Sequence, residues 1–130
     1  MKQGKLAEAQ QALRGELASH PNDQASRYTL ATVLDLDGQP DQAMAELRTV
    51  LRAAPDHANA RYLSGKILLA RGDAEAALSH LDVAVRAAPQ DANIHYQRGL
   101  AYQKLGKTDL ARQEFDEYQR LKDQSRKGGR

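Results

Sequence analysis

The chain has four histidines, the residue type best suited to binding metals or moving protons near neutral pH. His20 and His57 fall where the chain reads as turns. His80 and His95 lie on different predicted helices, neither with the i, i+4 partner of a helical metal site, so all four read as surface or turn histidines. Gly106-Lys107-Thr108 resembles the end of a phosphate-binding loop, yet the required upstream glycine falls at Ala101 and the surroundings read as helix-turn-helix. Asp35 and Asp37 point to opposite faces of a helix end, which fits solvation better than acid/base work. Cysteine is absent, and no nucleophile, base and orienting group occur in a workable combination. The sequence therefore predicts a non-enzymatic protein with no catalytic residue, no metal site and no cofactor.

The elements that carry these residues are built mostly from alanine and leucine. There is one phenylalanine and no tryptophan, so close packing of small side chains along many short contacts replaces one large central core. No segment approaches the apolar length of a membrane span, and Met1-Lys2-Gln3-Gly4-Lys5 lacks the apolar run of a secretory signal. A soluble protein of the cytoplasm or periplasm is expected. Of the net charge of +2, residues 122–130 contribute +3 (Lys122, Arg126, Lys127 and Arg130 against Asp123), leaving −1 for everything before them. Positions 123–130 read as a basic flexible tail, and a near-neutral body gives no reason to expect nucleic acid as a partner.

Five series step through the sequence by 34 residues. They are Gly4, Gly38, Gly72 and Gly106; Ala9, Ala43, Ala77 and Ala111; Pro21, Pro55 and Pro89; Leu13, Leu47, Leu81 and Phe115; and Tyr28, Tyr62 and Tyr96. Such a period marks a repeat of one supersecondary unit. Glycine closes a first helix by accepting a left-handed backbone, and proline ends a second. Asn22 or Asp23, then Asp56, then Asp91, supply the side-chain oxygen that caps the next helix. Seven helices follow, near 5–18, 24–37, 41–53, 58–70, 75–87, 92–105 and 109–122. Small residues set the close approach within each pair, Ala31 with Ala43, Gly65 with Ala77 and Gly99 with Ala111.

In this punctuation the chain resembles the tetratricopeptide repeat family, whose units carry Leu-Gly and Tyr in the first helix and Ala, Phe, Ala and Pro in the second. The resemblance covers a half repeat at 1–23 and repeats at 24–57, 58–91 and 92–123, within a domain at 1–122. Two departures stand out: the tyrosines fall one residue later than usual, and Asp123 replaces the last proline. The implied fold is all-α, a right-handed α-solenoid of antiparallel helix pairs. The implied function is to hold a peptide or partner protein in a concave groove lined by the first helices. Carried over, the groove positions are Tyr28, Thr32 and Asp35, flanked by Ala25 and Leu36. Next come Asn59, Tyr62, Lys66 and Leu69, flanked by Ala70, and then Asn93, Tyr96, Leu100 and Gln103, flanked by Lys104. Tyrosine suits interfaces because it joins a rigid apolar body to a hydroxyl, although packing between units makes the same demand. Family members that grip acidic chaperone tails use a cationic clamp. Tyr28, Thr32, Leu63, Asn93 and Gln97 stand at its positions here, which disfavours that partner.

The ends of the array differ. Arg112 replaces Met44 and Leu78, and Gln119 replaces Leu51 and Val85, so the last helix turns a polar face outward and reads as the end of the stack. Met1 precedes a second-type helix with no first helix before it, which reads as a fragment of a longer protein. Leu13 suggests a missing partner there, and Glu16 suggests tolerated exposure. An interaction module within a larger bacterial protein or assembly is the expected role. The alternatives are a self-association scaffold, as a homodimer through the exposed N-terminal helix, and an accessory domain of a multidomain enzyme.

Overall fold

The computed structural model describes residues 2–128 of the chain. The described residues form seven α-helices and no strand: α1 (Lys2–Ser19), α2 (Gln24–Leu36), α3 (Pro40–Ala53), α4 (Ala58–Ala70), α5 (Ala74–Ala87), α6 (Ala92–Lys104) and α7 (Thr108–Gly128). They fall into two compact units, Met1–Ala60 and Arg61–Arg130.

In the first unit α2 packs against both α1 and α3. The apolar spacing dictates the faces: Leu30, Ala31 and Leu34 form one stripe of α2, and Ala43, Leu47 and Val50 form one stripe of α3, all essentially inaccessible. Each fully buried leucine contributes about 1.5–3 kcal/mol through removal of apolar surface from water. The Gln10 amide donates to the Asp37 carboxylate at 2.9 Å, and Arg14 donates to Gln42 at 3.3 Å. These bonds tie α1 to the α2–α3 turn and the helix that follows it.

The second unit is built around Leu69, Ala74, Ala77, Leu78, Leu81, Ala84, Ile94 and Ala101. Two glycines lie in close contact with the facing helix: Gly65 meets the expected Ala77 and, nearer still, Leu81, while Gly99 meets Phe115 first rather than Ala111. A Cβ on Gly65 would lie 2.7 Å from Leu81 Cγ, with the Ala77 carbonyl at 3.2 Å; one on Gly99 would lie 2.6 Å from the Phe115 ring. The glycines make room for the bulky residues of the second helices, one turn beyond the alanines.

Each first helix ends as its glycine requires. Gly38, Gly72 and Gly106 have φ of 73°, 86° and 74°. Their amides bond to Asp35, Leu69 and Gln103, and the next residue's amide reaches back to Leu34, Leu68 and Tyr102. This paired bonding satisfies the carbonyls a helix leaves open at its end. Gly4, in the same series, lies inside α1, since glycine permits a left-handed backbone without imposing one.

The helix starts bring one correction. Asp23 and Asp91 cap α2 and α6, accepting from the amides of Ser26 and Asn93, but α4 is not capped by Asp56. His57 Nδ1 accepts from the Ala60 amide at 3.0 Å instead. His57 stands one repeat from Asp23 and from Asp91, so the cap keeps its register and changes its chemistry. At Asp23 the Ser26 hydroxyl, together with the Ser26 amide, holds the carboxyl below its ordinary range.

The last helix is also longer than expected. Helix α7 runs on to Gly128 rather than stopping near residue 122. The Gln119 amide donates to Asp123 at 3.1 Å and Arg126 pairs with the same carboxylate at 2.9 Å. These contacts along one face, with Arg126 and Lys127 in the last turn, favour continued helix. The side chains of residues 122–127 are exposed, and residues 129–130 lie outside the described part.

Candidate protein-interaction face

The three repeated tyrosines occupy different surroundings. Tyr28 is half-buried with its ring 5.4 Å from that of His57, so the cap of α4 is also a packing partner. Tyr62 is half-buried against the core of the second unit. Tyr96 is 40% exposed, and its ring sits 5.1 Å from Tyr118 and 5.7 Å from Phe115, both on α7. Among the three, Tyr96 combines accessibility with a rigid aromatic support.

The remaining groove positions divide by burial. In the first unit Thr32 and Asp35 are half-buried, and the Thr32 hydroxyl donates to the Tyr28 carbonyl at 3.2 Å. Asn59 is exposed, as is Leu36 at 69%. In the second unit Lys66 is exposed, whereas Leu69 is 8% exposed and belongs to the core. Leu100 packs partly against that core, while Asn93, Gln103 and Lys104 are open to solvent. Helix α6 thus presents Asn93, Tyr96, Gln103 and Lys104 together, an aromatic among neutral and cationic polar groups.

A second repeated feature went unseen in the sequence. Arg27 donates to Glu46 Oε1 at 2.8 Å and to the Pro21 carbonyl at 2.9 Å. At the equivalent positions of the last repeat, His95 Nδ1 lies 2.9 Å from Glu114 Oε1 and Nε2 lies 2.8 Å from the Pro89 carbonyl. Between them Arg61 lies 3.3 Å from His80 Nδ1. The triad of first-helix base, second-helix partner and proline carbonyl is complete in the first and last repeats, and the pairing of base and partner recurs in the middle one. It escaped notice because its letters change, Arg27, Arg61, His95 on one side and Glu46, His80, Glu114 on the other.

These contacts revise the reading of the histidines. His95 is buried at 8% exposure, not a surface residue, and His80 is half-buried. Burial, reinforced by the Arg61 guanidinium, pushes the His80 imidazole below its ordinary value. Arg98 joins the His95 cluster, pairing with Glu114 Oε2 at 2.8 Å and Asp82 at 3.2 Å. Burial opposes the charge on Arg98, but Glu114, with Tyr102 and Asp82, more than offsets it and holds the guanidinium above its ordinary value. His20 pairs with Glu16 at 2.9 Å on the surface. Among the described residues no three metal-ligating side chains converge.

Arg112 and Gln119 are exposed, whereas Met44 and Leu78 are buried and Leu51 and Val85 half-buried. On α1, Leu17 is buried and Leu13 half-buried, and the large exposed hydrophobic residues, Leu36, Tyr96 and Leu110, lie on other helices. No described helix is long and apolar enough to cross a membrane.

Paired antiparallel helices, closed by left-handed glycines and stepping by one fixed period, define an all-α helical-repeat protein of the α-solenoid class. The chain belongs to the tetratricopeptide repeat family, whose sequence profiles match residues 1–45, 28–92 and 92–125. Among solved structures, MamA 41-end from Desulfovibrio magneticus RS-1 is 29% identical, with a TM-score of 0.83 over 91% of this chain and 67% of that one. A MamA RS-1 ArsTM double mutant has the same identity and TM-score, and this chain spans only 66% of its length. A further MamA crystal structure, 23% identical, shares the fold with a TM-score of 0.84 over 92% of this chain and 70% of that one. No curated protein sequence matches the chain.

Proposed function

We propose that the chain is a non-enzymatic protein-interaction module, which holds a peptide or a segment of a partner protein against the first-helix face with Tyr96 as its anchor. The observation that carries this reading is the half-exposed Tyr96 ring, seated on Phe115 and Tyr118 and flanked along α6 by exposed Asn93, Gln103 and Lys104. A rigid aromatic ring with polar neighbours gives apolar area at little entropic cost and hydrogen bonds to fix a bound backbone. Membership of a repeat family that works through surfaces rather than pockets supports the same role.

The test is to pan a phage-displayed random peptide library on the protein and to titrate an enriched peptide calorimetrically against wild type and Tyr96→Ala. The expected result is a loss of affinity of about tenfold or more, typical of an aromatic hot spot, in a variant that stays folded at the temperature of the titration. Unchanged affinity alongside a lower midpoint makes Tyr96 a packing residue, and failure to enrich any peptide removes the reading itself.

A further inference from the structure

The recurring triad contains a chemical difference between its first and last copies. Arg27 directs two N–H groups at Glu46 and the Pro21 carbonyl, and a guanidinium keeps those donors at any pH at which a protein folds. His95 faces the same pair of acceptors, Glu114 and the Pro89 carbonyl, through its two ring nitrogens. A carbonyl and a carboxylate only accept. A neutral imidazole donates from one nitrogen alone, so both bonds exist together only when His95 carries two ring protons.

We propose that His95 is a proton-dependent latch: doubly protonated, it fastens α6 to α7 and to the Pro89 turn, and on losing one proton it releases one of the two bonds. Unit 1 has the same latch made permanent by arginine.

The charges around the ring are set for this role. From α7, Glu114 and Glu117 both act on His95, the first by direct contact and the second through space. From α6, Arg98 pairs with the other oxygen of Glu114, and from α5, Asp82 pairs with Arg98. Carboxylates ionise well below the range in which an imidazole exchanges its proton, so the acceptor is present whether or not the histidine is charged. The His95 and Glu114 side chains are only 10% and 15% exposed, which leaves little room for water to replace a lost bond. After deprotonation a lone pair points at an acceptor in a buried site, and the contact turns from attraction to repulsion.

Two measurements on the full chain decide it. The ring nitrogen-15 shifts of His95 are followed through a pH titration, and protection factors for amide exchange are compared between α6–α7 and α2–α3 across the same range. The expected result is two protonated ring nitrogens at the acidic end and a fall of about tenfold in α6–α7 protection as the second proton leaves, as for loss of one bond to a charged group. Protection of α2–α3 stays level, and His95→Arg abolishes the decline with rising pH. His80 works in the opposite sense, weakening the fold as pH falls, so its contribution survives in His95→Arg and is recognised by its sign. A His95 that remains a single neutral tautomer wherever the chain is folded, or a decline with rising pH that persists in His95→Arg, overturns the proposal.

Discussion

At equivalent repeat positions the first unit has Ala31 and Leu47, both fully buried, while the second has Gly99 lying against the ring of Phe115. As the second-helix residue grows from leucine to phenylalanine, the first-helix residue loses its last side-chain carbon. Gly65 and Leu81 form an intermediate pair, with glycine facing leucine at close range. Glycine stands where the facing leucine or phenylalanine side chain leaves no room for a Cβ, so volume is matched across the contact. The single phenylalanine of the chain is accommodated in this way, its ring occupying the space that a Cβ on Gly99 would need.

Leu47→Ala removes a fully buried side chain and is expected to cost about 2–5 kcal/mol, read from the denaturant midpoint at constant m-value. A cost below that range would mean that the α2–α3 contact collapses readily around the gap, and that the leucine is less fixed than its burial implies.

A smaller effect sharpens the volume match itself. Gly99→Ala places a carbon 2.6 Å from the Phe115 ring, and overpacking of this kind costs about 1–3 kcal/mol, against the gain of about 1 kcal/mol that alanine brings to a helix. Adding Phe115→Leu recreates the pair of the first unit and should recover stability. A double-mutant cycle with no coupling between these sites would show that the glycine does not answer to the ring.

The smallest expected effect concerns His80 opposite Arg61. Its imidazole is depressed below the ordinary 6.5 by burial and then by Arg61, so the unfolded chain binds this proton more readily than the folded one. Its contribution to stability is therefore complete above about pH 6.5 and declines as pH falls through the lower folded value. Thermal midpoints of wild type and His80→Gln, compared from neutral to mildly acidic buffer, should converge as acid is added; parallel curves would mean that His80 binds its proton equally well in the folded and unfolded chain.

Repetition made the helices legible because glycine and proline act locally: Gly38, Gly72 and Gly106 end helices through their own backbone conformation, whatever packs around them. The cap of α4 was missed by one residue because His57 performs a task usually given to aspartate. The triad around Arg27 and His95 was invisible to a search for identical letters, since the repeat keeps donors and acceptors rather than residue types. The extension of α7 was hidden by its charge, which reads as a solvated tail until Asp123 is seen to bond both Gln119 and Arg126. Among the candidate groove positions, the period fixed which residues share a register. Burial, a property of neighbours, separated Tyr96 from Tyr62 and Leu69.

The three glycines that close the first helices also bear on how this chain tolerates change. Each sits in a backbone region natural to the mirror-image amino acids, so at Gly38, Gly72 and Gly106 the handedness of the chain is locally suspended. No side chain of the ordinary kind fits there at low cost, although the space around all three is open. Crowding thus protects Gly65 and Gly99, while stereochemistry alone protects the turn glycines. A library built on this scaffold would vary Asn93, Gln103 and Lys104 freely, and would leave those three turns untouched for a reason that no map of empty volume reveals.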